Sequence, residues 1–160
     1  MTVNYAGPYE NFGIGGAVEG YVGQKFLSHH AQLRLRSRTD SLVHDLVEGD
    51  LDNLTPLTLY QAADAGDADA QEVLAWAGHK LGVMLGSAVN LLDIRTIIVS
   101  GGVSAAGAYI LDPARETLNE FTIPNMREGL QILREELGNE VSLLGAGRLA
   151  FEGGDAQVGR

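Results

Sequence analysis

Three glycines set the strongest limit on what this chain can fold into. Gly78, Gly82 and Gly86 recur at every fourth position of DADAQEVLAWAGHKLGVMLGSAVNLLD, residues 67–93. Its apolar residues Val73, Ala77, Leu81, Met84, Ala88 and Leu92 fall on one helical stripe, and Asp69 and Glu72 read as a capping pair at its start. Each glycine inside a helix costs about 1 kcal/mol against alanine. Three on one line make sense only where another backbone lies too close for side chains. The pattern therefore predicts a long helix with a closely packed neighbour along that face.

The rest of the chain supplies shorter elements. MTVNYAG has the β-branched and aromatic mix of a short strand ended by Gly7 and Pro8, and a glycine loop follows to about residue 16. Residues 17–36 read as two short helices or one kinked helix, with Gly20 and Gly23 as the weak points. SLVHDLVEGD is a short helix stopped at Gly49. In LTPLTLYQAADAGD, Thr55 caps a helix and Pro56 takes its first position, where a missing amide costs nothing. RTIIVSGG is a buried strand stopped by Gly101 and Gly102, Ser104 caps the helix that follows, and a second start is expected at Asp112 and Pro113. LQILR is a second buried strand, NEVSLLGAGRLAFE a closing helix, and residues 153–160 a loose tail. The order is helices, then strand, helix, strand, helix: an α/β domain.

Charge and composition narrow the function. The 160 residues carry a net charge of -10, and only Arg34, Arg36 and Arg38 concentrate positive charge, so no nucleic-acid-binding face is expected. With no cysteine there is no disulfide framework and no thiolate metal site, which suits a reducing cytoplasm. VMLGSAVNLL, the longest apolar run, is too short to span a membrane. A soluble, cytoplasmic protein is expected.

The adjacent His29 and His30 point to different helix faces and read as surface residues, while His44 and His79 stand alone, so no metal is expected. Asp64, Asp67 and Asp69 lack calcium-loop spacing and fit capping and turn roles. Arg34, Arg36 and Arg38 form a solvated edge or a partner contact. VSLLGAGRLA scans as a dinucleotide fingerprint, but its required acidic residue and second strand are missing, and small residues in a tightly packed helix explain it better. The strand ending in SGG leaves amides open to an anion or nucleotide, or is a plain strand-to-helix turn. Glu19, in the run ENFGIGGAVEGY, by itself reads as a carboxylate favouring a helix start.

Taken together, three stretches resemble the carboxy-terminal half of the ROK family of repressors, open reading frames and sugar kinases. NYAGPYENFGIGGAVEGYVG is similar to the family segment C-x-C-G-x-x-G-C-x-E plus an aromatic: Gly13, Gly16, Glu19 and Tyr21 match, while Glu10, Phe12 and Ala17 replace the cysteines. IIVSGGVSAAG resembles the strand and double-glycine turn at the nucleotide, and LQILREELGNEVSLLGAGRLAF the last strand and helix. The resemblance implies an actin-like (ribonuclease-H-like) kinase domain over residues 1–152, helix-rich with at least two central strands. It implies that Glu19 binds a hexose through its hydroxyls, that Gly101 and Gly102 line an ATP cleft, and that the complete protein uses ATP with magnesium. Without the cysteines the family's structural zinc is not expected, and other packing, with Phe12 a candidate, must order the loop.

The phosphate loop of D-x-G-x-T type and the aspartate base belong to the family's amino-terminal half. The chain is thus expected to be a fragment, a split-gene product or one half of a shared site, inactive alone, forming a homodimer or joining a complementing half through its exposed sheet edges. The alternative is the sugar-sensing domain of a ROK repressor, and a third reading is an inactive remnant that only dimerises.

Overall fold

A computed structural model describes residues 1–7, 10–11, 13–101, 106–136 and 140–158. A small antiparallel hairpin of β1 (Glu10–Asn11) and β2 (Ile14–Gly15) leads into α1 (Glu19–Val22), α2 (Gln24–Leu35), α3 (Val43–Leu46) and α4 (Pro56–Asp64). The long α5 (Ala68–Leu92) is followed by β3 (Thr96–Val99), α6 (Ala108–Phe121), β4 (Gln131–Arg134) and α7 (Val141–Val158). β3 and β4 lie side by side in parallel, Thr96 opposite Gln131 and Val99 opposite Arg134. Ile97 and Ile132 turn one face of this sheet into a core with Leu85, Val89, Leu111, Ala114 and Leu118. Both strands were expected to be buried, but among the described residues only one face is covered: Ile98 and Leu133 on the other are 63% and 43% exposed. No helix among the described residues is long and apolar enough to cross a membrane.

The glycine line of α5 is the seam against α6. A Cβ on Gly82 would lie 2.6 Å from both the Ala114 carbonyl oxygen and Thr117 Cβ, one on Gly86 2.8 Å from Phe121 Cβ, and one on Gly78 would overlap the Ile110 carbonyl. The buried face of α5 accordingly runs through Leu74, Ala77, Gly78, Gly82, Leu85, Gly86 and Val89. This corrects the expected stripe through Met84, Ala88 and Leu92: the buried line rotates onto the glycines because α6 sits there, and Leu92 is exposed. Polar contacts fix the register of the two helices. His79 Nδ1 lies 2.7 Å from Thr117 Oγ1, and the Asn90 amide donates to the Phe121 carbonyl (2.8 Å) while accepting from the Ile123 N–H (2.9 Å).

Further corrections concern element ends. α6 runs unbroken through Pro113, so the second start expected there is absent. Proline removes one backbone donor, but one continuous face burying Ile110, Leu111, Ala114, Thr117 and Leu118 outweighs that loss. Asp67, not the Asp69–Glu72 pair, caps α5. Its carboxylate accepts from the Ala70 N–H (2.9 Å), the Ser41 hydroxyl (2.7 Å) and the Leu42 N–H (2.6 Å), tying the start of α5 to that of α3. Burial alone would raise this carboxyl, and the hydrogen bonds outweigh burial to hold it below its ordinary value. Asp69 and Glu72 instead pair with Arg38 (3.2 Å), three residues past the end of α2, and with Arg34 in its last turn, linking that end of α2 to α5.

The expected strand at MTVNYAG reduces to a single bridge between Thr2 and Ala17. Residues 17–36 divide into α1 and α2 at Gly23, and Thr55 caps α4 with Pro56 at its start. GAGRLA lies inside α7, which includes residues 153–158 of the segment read as a tail, and Ser104 lies outside the described residues.

Because no described residue stands within 4 Å of a Cβ built on Gly145 in α7, the two glycine positions should respond oppositely to alanine. In urea unfolding, Gly82→Ala should lose at least about 2 kcal/mol by overpacking, and Gly145→Ala should lose nothing or gain up to about 1 kcal/mol. Equal effects would contradict the close approach of α5 and α6.

Candidate functional site

The chain reverses at Gly16, whose φ of 68° favours glycine and whose missing side chain lets the Asn4 carbonyl pack directly against it. The Val3 N–H donates to the Gly16 carbonyl at 2.9 Å and the Val18 N–H to the Met1 carbonyl at 3.0 Å, locking the first residues along the loop. Glu19 is thereby delivered as the first residue of α1, exposed, with Gly20 and Tyr21 buried beneath it. Its side chain lies along α1 beside Gly23, where a Cβ would come within 2.9 Å of Glu19 Cδ. A carboxylate presented in this way accepts two hydroxyl donors at once. Phe12, the candidate for ordering this loop, lies outside the described residues.

Beneath Glu19 sits an aromatic cluster that sequence reading missed. Tyr21 packs on Trp76 of α5 with ring centroids 5.5 Å apart, and His30 of α2 stacks on Trp76 at 3.5 Å and 5°. Lys80 Nζ stands 5.5 Å from the Tyr21 ring and 5.9 Å from the Trp76 ring. The two adjacent histidines, both read as surface residues, divide: His29 is exposed and His30 is 9% exposed. About 100° of helical rotation separates neighbours, and only the inward one meets Trp76. The available signal was the apolar set Leu27, Ala31 and Leu35, which brackets His30 on the inner face.

The second expected wall lies where the parallel strands end. Gly101 follows β3 with φ 93°, and α6 starts after Gly107 with no side-chain cap. Arg134 closes β4 and brings Nη1 to 4.0 Å from where a Cβ on Gly107 would stand. A guanidinium beside a helix start that has no side-chain cap among the described residues, at the carboxyl end of parallel strands, favours an anion. Sequence reading passed over Arg134 because LQILR registered only as a strand. Gly102 lies outside the described residues. A hollow of about 500 Å³ on the open side of the sheet is lined by Ile98, Arg115, Leu133, Arg134 and Glu135, among others. Glu19 and Gly101 thus stand on separate elements, one heading α1 and the other ending β3. Among the described residues no three histidine, aspartate or glutamate side chains gather to hold a metal.

Burial, with help from Arg34, His29 and Lys80, lowers the His30 pKa from 6.5 to about 4. The folded protein therefore binds fewer protons than the unfolded chain between these values. The stability tied to neutral His30 is full above pH 6.5 and is lost as pH falls toward 4. Relative to neutral pH, wild type at pH 4.5 should lose on the order of 2 kcal/mol more than His30→Phe, which keeps an aromatic ring on Trp76. Parallel stability curves for the two proteins would contradict this assignment.

Comparison with known proteins adds an independent line. The ROK family model matches residues 9–152. A glucokinase of Halalkalibacterium halodurans is 32% identical over 96 residues, covering 60% of this chain and 29% of that protein. The DNA-binding transcriptional dual regulator NagC of Escherichia coli is 31% identical over 96 residues, covering 60% and 23%. The crystal structure of a ROK family glucokinase from Streptomyces griseus, in complex with glucose and AMPPNP, superposes with a TM-score of 0.82 at 28% identity, over 93% of this chain and 49% of that one. The chain spans less than half the length of each of these proteins. The strand, helix, strand, helix order is that of the actin-like fold of ROK sugar kinases. With the family match extending over residues 9–152, the chain belongs to the ROK family.

Proposed function

We propose that residues 1–152 are the carboxy-terminal part of an ATP-dependent ROK-type hexose kinase and form two walls of its cleft. In this reading Glu19 accepts hydrogen bonds from two sugar hydroxyls and so orients the hexose. Gly101 and Gly102 let the nucleotide approach the end of β3, with Arg134 beside them as a cation for its phosphates. ATP arrives with magnesium, which neutralises charge on the phosphates. The base and the phosphate loop come from an amino-terminal half, supplied by the same polypeptide or a complementing one, or the site is shared in a homodimer. The protein works in the cytoplasm. One observation carries the reading: a glycine-bordered loop inside the ROK-matched span presents an exposed carboxylate at the start of α1.

A second reading, a sugar-sensing domain of a ROK repressor, is favoured by the near-equal identity to a glucokinase and to NagC, 32% and 31%. There the same Glu19 would report sugar to a DNA-binding domain rather than orient it for transfer.

Incubated alone with ATP, magnesium and a panel of hexoses, the chain should form no sugar phosphate, since base and phosphate loop are missing from it; robust turnover would refute this. Fused behind the amino-terminal half of a ROK glucokinase, it should phosphorylate a hexose, and Glu19→Gln in the fusion should lower kcat/KM about 100-fold, or roughly 3 kcal/mol. A fusion whose Gln variant retains full activity would remove Glu19 from the site. A folded fusion that binds hexose without turnover would favour the repressor reading.

A further inference from the structure

We infer that Tyr21 is the positioning residue for Glu19, an inference that rests on the reading of Glu19 as the sugar ligand. α1 has four residues, too few to hold a helical direction without tertiary contacts. Tyr21 supplies them. It is 2% exposed and sits two residues after Glu19, about 200° round the same turn, so it points into the protein where Glu19 points out. Its ring packs on Trp76, itself stacked on His30, and its hydroxyl lies directly against Gly7 in the first segment of the loop.

One side chain therefore pins the turn that carries Glu19 to two bodies at once: the helical core through Trp76, and residues 1–7 through Gly7. A Cβ on Gly7 would overlap the Tyr21 hydroxyl, and its next contacts would be the Asn4 carbonyl oxygen at 3.0 Å and Tyr21 Cζ at 3.1 Å. Any displacement of Tyr21 is transmitted to Glu19 across a single turn. Trp76 is the sole tryptophan of the chain, so its emission reports that displacement without a probe.

The experiment is a suppressor test on the full chain, read by Trp76 emission and by amide hydrogen exchange. Gly7→Ala should shift the emission and raise exchange over residues 16–23 about tenfold, with α5 and α6 keeping wild-type protection. Tyr21→Phe should resemble wild type because the ring and its stack remain. The double variant should recover at least half of both effects, because the atom that the new methyl strikes is gone. Unchanged Gly7→Ala behaviour, or a Gly7→Ala defect that Tyr21→Phe does not relieve, would overturn the inference. If Gly7→Ala alone does not fold, recovery of a folded double variant supports the inference and an unfolded double variant opposes it. Glu19→Gln should leave both readouts unmoved, so loss of sugar recognition in that variant tests the ligand reading separately.

Discussion

The approach of the α5 and α6 backbones across Gly78, Gly82 and Gly86 is the contact on which the rest of the structure depends. α6 is the crossover between β3 and β4, so its distance from α5 decides whether the two strands can lie in register and whether Ile97 and Ile132 reach Leu85 and Val89. At ordinary helix spacing the α6 start and the ends of both strands would move apart, and Gly101, Gly107 and Arg134 would no longer share one corner. The three interior glycines sacrifice about 3 kcal/mol of helix propensity in total, which the continuous burial along both helices more than offsets.

α5 also serves the opposite wall. Trp76 and Lys80 are one turn apart on a line about 200° from Gly78 and Gly82, so the same helix carries the sheet on one side and the Tyr21 cluster on the other. The carboxylate of Asp67 secures its start against α3, and burial of Leu27, Ala31 and Leu35 holds α2 alongside, where His30 meets Trp76 face to face. The loop that carries Glu19 and the turn after β3 are thus referred to one element, α5.

Much of this was legible in the sequence because it rests on local rules. The glycine line announced the seam, Thr55 and Pro56 marked α4, and the β-branched run of RTIIV and the LQILR segment gave both parallel strands. What was missed depends on partners distant in the chain. Pro113 reads as a helix start until the buried face that carries α6 through it is known. His30 reads as a surface residue until Trp76, 46 positions later, is placed on it. Asp67 became the cap over Asp69 because Ser41 and Leu42 add donors from another element. Glu19 was legible as a candidate only through the resemblance; its exposure at the start of α1 is a matter of the loop, and that loop is shaped by contacts of Gly7 and Gly16 that no local pattern predicts.

Glu19 as a sugar ligand requires that a hexose meet the chain at the glycine-bordered start of α1. A titration of the nitrogen-labelled chain with glucose, followed by backbone amide shifts, tests it most directly and detects even millimolar affinity. Weak shifts centred on residues 16–23 and lost in Glu19→Gln are expected. Shifts centred instead on the sheet hollow around Arg115 and Arg134, or shifts over residues 16–23 that persist in Glu19→Gln, would contradict that role for Glu19.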